Sequence, residues 1–134
     1  MPFPVSRSVP KLGPLEEAVL AHLWEAGESD VAMAQAAVGA PRGIAANTVG
    51  SALERLHRKG LAARWKQSHA YRYRAAIGRD ELAARRVLEA AGGGAALGAP
   101  GLLAAFVDAL ADSDAATLER LERLIEAKRA ERGS

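Results

Sequence analysis

The sequence predicts a mainly α-helical protein in which a winged helix-turn-helix, three helices followed by a β-hairpin, precedes a C-terminal three-helix dimerisation domain. Helical periodicity runs up to Gly60, strand alternation follows it, and the helical pattern returns beyond Gly78. Seven Lys or Arg residues and no acid lie between Arg55 and Arg74, although the net charge of the 134-residue chain is only +2. The predicted divisions are a flexible arm over 1–10, the winged helix over 11–77 and the dimerisation domain over 78–134.

The composition is that of a cytoplasmic globular protein. Hydrophobic residues make up 49% of the chain and charged residues 25%, which are ordinary values for a packed domain. The absence of cysteine excludes disulfides and thiolate metal sites, and no other cofactor or metal is expected. The N-terminal MPFPVSRSVP lacks the apolar core of a signal peptide, and no 18-residue apolar run occurs, so membrane insertion is not expected.

The first helix is predicted over LGPLEEAVLAHLWEAG. Pro14 stands at an early helical position, acidic residues occupy the first turn, and Gly27 is placed to end the helix. Leu15, Val19 and Leu23 recur every four residues and form its apolar face.

A second, shorter helix and a third helix follow. Asp30 is a favourable N-cap for VAMAQAAV, which we expect Gly39 and Pro41 to end. The third helix is predicted from near Ala46 to Gly60. Its buried face is predicted to consist of Val49, Ala52, Leu53 and Leu56.

After Gly60 the period changes to two residues, which predicts a hairpin with its turn at Gln67-Ser68-His69-Ala70. In ARWK the bases alternate with Trp65, and in YRYR they alternate with the tyrosines. We interpret the bases as sharing one face across both strands, with Tyr71 and Tyr73 as core residues beneath the wing.

Three further helices are predicted in GRDELAARRVLEAA, PGLLAAFVDALA and DAATLERLERLIEAKRAER. The last two carry more apolar residues than so short a segment can bury alone, which favours a homodimer. The predicted dimerisation residues are Leu102, Leu103, Phe106, Val107, Leu110, Leu118, Leu121 and Ile125.

The third helix and the hairpin together suit double-stranded DNA. Short hydrogen-bonding side chains near a helix start can reach base edges in the major groove, and flanking bases can hold phosphates. Base readout is assigned to Asn47, Thr48 and Ser51. Backbone and wing contacts are assigned to Arg55, Arg58, Lys59, Arg64, Lys66, His69 and Arg72. Glu54 on the same helix face argues against phosphate binding unless it is paired or directed at cytosine.

Two other classes of function are alternatives to DNA binding. The basic surface is also compatible with a protein-interaction module that docks an acidic partner. Enzyme activity is not expected, because His22, His57 and His69 lie on different elements and no phosphate loop or paired-carboxylate site occurs.

Several short motifs, in this order and spacing, resemble the penicillinase-repressor family of the BlaI/MecI type. The resemblance runs from about Leu12 to Tyr73 and continues loosely beyond. The matching motifs are Leu15-Glu16, Leu23-Trp24, Thr48-Val49 and Leu53-Glu54-Arg55-Leu56-His57-Arg58-Lys59-Gly60.

This resemblance implies a dimeric repressor on a palindromic operator, controlling a β-lactam-resistance or cell-envelope stress operon. It also implies a membrane-bound sensor metalloprotease as a partner, with its cut mapping onto Ala105-Phe106. Where the family has Gly-Arg at the wing turn this chain has Ser68-His69, and Gly50 replaces a larger residue, so wing and base contacts should differ. Copper sensing through C-terminal cysteines is excluded because the chain has none.

Overall fold

A computed structural model describes residues 9–133, which fall into two compact units that divide between Val87 and Leu88. The predicted arm over 1–10 lies outside the described residues except for its last two. The first unit extends beyond the predicted division at residue 77, because Leu82 is buried in its core.

Helix α1, Pro14–Ala26, begins and ends where its sequence signals predict. Pro14 is its first residue, and Gly27 after it adopts a φ of 84°, where the absence of a side chain removes the steric cost. Val19, Leu20 and Leu23 are fully or almost fully buried on one face.

The second helical stretch passes through the residues that were expected to end it, so that boundary was wrong. Helix α2, Val31–Ala34, continues into a π-helical turn, Gln35–Gly39, and then into α3, Ala40–Arg42. Pro41 has no N–H to donate, and it directly follows the π-helical turn, where the Ala40 N–H bonds to the carbonyl oxygen of Gln35. Gly39 is buried against α4, since a Cβ there would lie only 2.8 Å from Cγ2 of Val49.

Helix α4, Ala46–Arg58, buries the predicted face: Val49, Ala52, Leu53 and Leu56 are all inaccessible. The hairpin strands β1, Ala62–Gln67, and β2, Ala70–Ala75, pair antiparallel. The two-residue loop between them is the predicted turn, and Ser68 within it adopts a left-handed φ of 59°. At the other end of the hairpin, Tyr73 and Ser29 exchange two backbone hydrogen bonds of 2.8 and 2.9 Å.

The core of the first unit joins α1, α4 and the base of the hairpin. Leu20, Leu53, Leu61 and Leu82 are among its largest buried side chains. Indole Nε1 of Trp24 donates a 2.8 Å hydrogen bond to the carbonyl oxygen of Ile77, which fixes the chain where it leaves the hairpin. Three helical segments followed by a two-stranded wing confirm the predicted winged helix-turn-helix.

The remaining helices are α5, Arg79–Ala90, α6, Gly94–Leu97, α7, Pro100–Ser113, and α8, Ala115–Gly133. The short α6 was not predicted; the rest correspond to the three predicted C-terminal helices. Among the residues described, α6, α7 and α8 contain no buried side chain. None of the helices described is both long enough and apolar enough to cross a membrane.

Candidate nucleic-acid interface

The solvent-facing side of α4 lines a shallow groove of about 440 Å³. This surface, which we call the α4 groove, is formed by Val31, Ala46, Asn47, Gly50, Ser51, Glu54 and Arg58. Its polar members recur at three- and four-residue intervals, so they form one row along the helix. Because the opposite face of α4 is completely buried, the helix is held rigidly behind this row.

The three residues predicted to read bases are all exposed at the start of α4. Asn47 and Ser51 lie in the α4 groove one helical turn apart. Thr48 is exposed on the same turn but is not among the residues that line the groove. The structure therefore brings two of the predicted readout residues together and places the third beside them.

Gly50 opens the middle of the groove, where the family resemblance implied a larger side chain. A Cβ at this position would lie 3.7 Å from both Cγ atoms of Val31, which is an ordinary van der Waals contact. The glycine is therefore not required by packing, and its effect is to leave the methyl groups of Val31 accessible from the groove.

Lys59 and Arg55 are directed toward a carboxylate inside the fold. Nζ of Lys59 lies 2.6 Å from Oε2 of Glu16 and 2.7 Å from the carbonyl oxygen of Lys11. Nε of Arg55 lies 3.7 Å from Oε1 of Glu16, whose side chain is only 9% exposed. Although burial alone raises the pKa of Glu16, the hydrogen bonds from Lys59 and the Gly13 N–H, together with Arg55, hold that pKa below its ordinary value.

Glu54 connects the α4 groove to the hairpin. It forms a close ion pair with Arg64 of β1, and its Oε1 lies 3.8 Å from Nε of Arg58. The hydroxyl group of Tyr73 donates a 3.4 Å hydrogen bond to Oε2 of the same carboxylate. Partial burial acts to raise the pKa of Glu54, but the hydrogen bond and charge of Arg64 outweigh it and lower the pKa. The carboxylate is thus paired, which answers the objection that it would repel phosphate.

The hairpin register contradicts the expectation that the bases of both strands share one face. Arg64 is opposite Tyr73 and Lys66 is opposite Tyr71, whereas Trp65 is opposite Arg72. Directly opposed residues of an antiparallel pair point to the same side, so the β1 bases share a face with the tyrosines.

The two tyrosines are also not equivalent. Tyr73 is 3% exposed and belongs to the core, but Tyr71 is 43% exposed, so its assignment to the core was wrong. Tyr71 is next to Tyr73 on the same face of the hairpin but lies nearer the loop. There the Arg64 guanidinium covers its ring at 4.2 Å from the centroid.

Arg72 was expected to contact DNA, but its charge is directed to the loop before α2. Nε lies 3.1 Å from Oε1 of Glu28, and Nη1 lies 3.7 Å from Oδ2 of Asp30. Its side chain is only 21% exposed. Arg72 therefore connects β2 to that loop.

The exposed cations of the hairpin are Lys66 and Arg74. Within the described part of the chain, neither has a carboxylate oxygen within 4.0 Å. His69 is exposed at the hairpin loop. Arg74 was absent from the predicted contacts, although its alternation with the tyrosines is visible in the sequence.

The predicted dimerisation residues lie on α7 and α8 of the second unit. Leu102, Leu103, Phe106 and Ile125 are 40–47% exposed. Val107, Leu110, Leu118 and Leu121 are partly exposed. The Ala105-Phe106 bond lies inside α7, and both of its residues are exposed.

The described residues contain no group of three or more His, Cys, Asp or Glu side chains that could hold a metal ion.

The sequence matches the family described as Penicillinase repressor over residues 12–127. Two relatives, both named transcriptional regulator BlaI, come from Mycobacterium tuberculosis strains CDC 1551 / Oshkosh and ATCC 25618 / H37Rv. Each is 40% identical over 81 residues, which cover 60% of this chain and 59% of the relative, so the match spans less than two thirds of its length.

Among solved structures, the chain is similar to a homodimeric winged helix-turn-helix DNA-binding domain from Mycobacterium bovis, Mb0332, described as a possible ArsR-family transcriptional regulator. The TM-score is 0.44 at 21% identity, and the match covers 60% of this chain and 68% of the other.

Proposed function

This chain belongs to the penicillinase repressor family, and from that premise we propose that it is a dimeric, sequence-specific transcriptional repressor that binds a palindromic operator. The family consists of transcriptional repressors rather than enzymes. The observation that carries the proposal is the α4 groove, in which Asn47, Ser51 and Arg58 stand in one exposed row on a helix whose other face is buried.

The geometry of this row suits the major groove of B-DNA, which admits one α-helix. Asn47 can bond an adenine edge through its amide, and Ser51 can donate to or accept from a base one turn further on. Arg58 is 71% exposed at the far end of the helix, where it can reach a phosphate. Lys66 extends this cationic surface onto the face of the wing that carries Arg64, whereas the exposed Arg74 lies on the opposite face of the hairpin.

The proposed dimer forms through the second unit. Helices α7 and α8 expose large apolar side chains and bury none among the residues described. A second copy would cover them, and two half-site contacts joined in one dimer bind far more tightly than either alone. Sedimentation velocity should show a dimer for the native chain and a monomer for Ile125→Glu. A native monomer at high concentration would contradict this part of the proposal.

We also propose a cytoplasmic location and control of a β-lactam-resistance or cell-envelope stress operon. Relief of repression would come from a membrane-bound sensor metalloprotease that cuts Ala105-Phe106 and so separates the dimerisation helices. The exposure of both residues supports access, while their helical backbone means that α7 must unwind locally before cleavage. Mass spectrometry of the protein from β-lactam-treated cells should find a fragment ending at Ala105. Induction with an intact chain would exclude this route.

The experiment that tests the central proposal is selection from a genomic fragment library at two salt concentrations, with excess competitor DNA. Recovery of a few fragments that share an inverted repeat is the expected result. Unselective and salt-labile recovery would contradict it and would favour the other candidate, a basic module that docks an acidic partner.

Single substitutions then separate base readout from phosphate contact. Replacing Asn47 or Ser51 by Ala should weaken the selected site more than random DNA, by about 1–3 kcal/mol if each reads a base. Lys66→Gln should weaken all DNA alike and reduce the salt dependence. An unchanged ratio of specific to random affinity in both alanine variants would contradict the groove assignment.

A further inference from the structure

The Glu54 carboxylate lies where the α4 groove meets the wing, and Arg64 is the cation closest to it. Glu54 lines the groove together with Asn47, Ser51 and Arg58. The Arg64 side chain is 25% exposed, so its guanidinium lies at the edge of the groove rather than inside the core. A bound duplex would therefore pass close to this cation.

Two contacts hold the Arg64 guanidinium in place: it is paired with Glu54, and it lies 4.2 Å from the centroid of the Tyr71 ring. Tyr73, which is directly opposite Arg64 in the hairpin, also bonds Glu54. A cation in close contact with a carboxylate must give up that partner before it can neutralise a phosphate, whereas Arg58, 3.8 Å from the same carboxylate and 71% exposed, is still open to solvent. The positive charge of Arg64 is therefore cancelled locally, whereas those of Lys66 and Arg74 are not.

We infer that Glu54 is a positioning residue that withholds Arg64 from the DNA phosphates and joins the wing to α4. This inference rests on the proposed function and deepens it. Phosphate contacts add affinity for every sequence alike, so an occupied Arg64 keeps the protein from binding non-operator DNA more tightly. Glu54 thereby limits the non-specific component of binding without touching a base.

The test measures DNA binding by the full-length chain as a function of salt. Four proteins are compared: the native chain, Glu54→Gln, Arg64→Gln and the double variant, with a selected fragment and a random duplex as probes. Each phosphate neutralised contributes about −0.9 to the slope of log K against log salt. Glu25→Gln is the control, because it removes one exposed negative charge from α1.

We expect Glu54→Gln to steepen the slope by about 0.9 and to raise affinity for both probes by roughly five- to tenfold near 0.1 M salt. Arg64→Gln should reduce the slope by less in the native chain than in the Glu54→Gln background, where it should remove the whole increment. The control Glu25→Gln should change neither the slope nor the affinity by a comparable amount. A purely structural role for Glu54 predicts the opposite sign, since a loosened wing would weaken binding.

Three results would overturn the inference. The first is an unchanged or shallower slope in a Glu54→Gln protein that is folded by circular dichroism. The second is an equal reduction of the slope by Arg64→Gln in the native chain and in the Glu54→Gln background, which would mean that Arg64 already binds DNA. The third is a changed base preference at one operator position, which would mean that Glu54 reads cytosine. If the native chain selects no DNA sequence at all, the proposed function itself is refuted. If it binds selectively but gives any of these three results, the proposed function stands and only the inference about Glu54 is refuted.

Discussion

Replacing Lys59 by Met distinguishes a structural ion pair from a phosphate contact. The substitution keeps most of the side-chain volume but removes the charge that lies 2.6 Å from Oε2 of Glu16. Because the Glu16 side chain is only 9% exposed, its carboxylate would lose its main partner in a site with little water.

The expected loss of stability follows from what remains around that carboxylate. Breaking a buried ion pair from one side costs about 3–5 kcal/mol. Arg55 still lies 3.7 Å from Oε1, and the Gly13 N–H still donates across 3.4 Å, so we expect the lower end, about 3 kcal/mol. The double variant Glu16→Gln with Lys59→Met should recover much of this loss, because it leaves no buried charge unpaired; Arg55 loses the Glu16 carboxylate, but its side chain is 44% exposed.

The assay is urea unfolding at neutral pH and one fixed protein concentration, followed by the fluorescence of the two tryptophans. Binding to random DNA is measured in parallel on the folded variants. A stability loss below about 0.5 kcal/mol, combined with a shallower salt dependence of DNA binding, would refute the reasoning and would return Lys59 to the phosphate-binding residues.

Four further outcomes are expected. Ser68→Gly should stabilise the protein by about 1 kcal/mol in thermal unfolding, because glycine accepts the φ of 59° without steric cost; an unchanged midpoint would mean that the loop is unstrained. Gly50→Ala should raise the free energy of unfolding by about 1 kcal/mol, because alanine has the higher helix propensity and its Cβ would meet Val31 at 3.7 Å; a lower free energy of unfolding in urea would disprove that fit. Gly39→Ala should destabilise by about 1–3 kcal/mol, because the new Cβ would clash with the side chains of Gln35 and Val49; a neutral effect would show that the π turn relaxes. Finally, the pKa of Glu16 is lowered from 4.5 in the folded protein, so the stability that its ionised form contributes is present above pH 4.5 and is lost as the pH falls through the folded pKa. The measurement compares the free energy of unfolding of the native chain with that of Glu16→Gln across this pH range. A difference that stays constant would contradict the ion pair.

Local periodicity was sufficient to predict much of the fold. The buried face of α4 follows from apolar spacing at 3.6 residues, and α1 begins and ends at its proline and glycine. The continuation of α2 through Gly39 and Pro41 was missed because it depends on tertiary packing: a residue without a side chain is needed where Val49 approaches. Propensity rules treat that glycine only as a helix terminator.

The candidate site was harder to predict because its electrostatics join distant parts of the chain. Periodicity gave the exposed row that contains Asn47 and Ser51, but it cannot reveal that Lys59 meets a carboxylate 43 positions earlier. The hairpin register, by contrast, was available in the sequence. A two-residue loop opposes each even-numbered residue of β1 to an odd-numbered residue of β2, which pairs Arg64 with a tyrosine rather than with an arginine.

The backbone bonds between Ser29 and Tyr73 give the two ends of the hairpin different freedom to change during evolution. They fix β2 at its base, so the strand cannot slide without breaking the pairing and withdrawing Tyr73 from the core. The loop at Ser68-His69 is exposed, and residues 9–133 supply no such backbone anchor for it. Insertions and new side chains can therefore accumulate at the tip while the base stays constant, which would allow descendants of this protein to alter their wing contacts without refolding the domain.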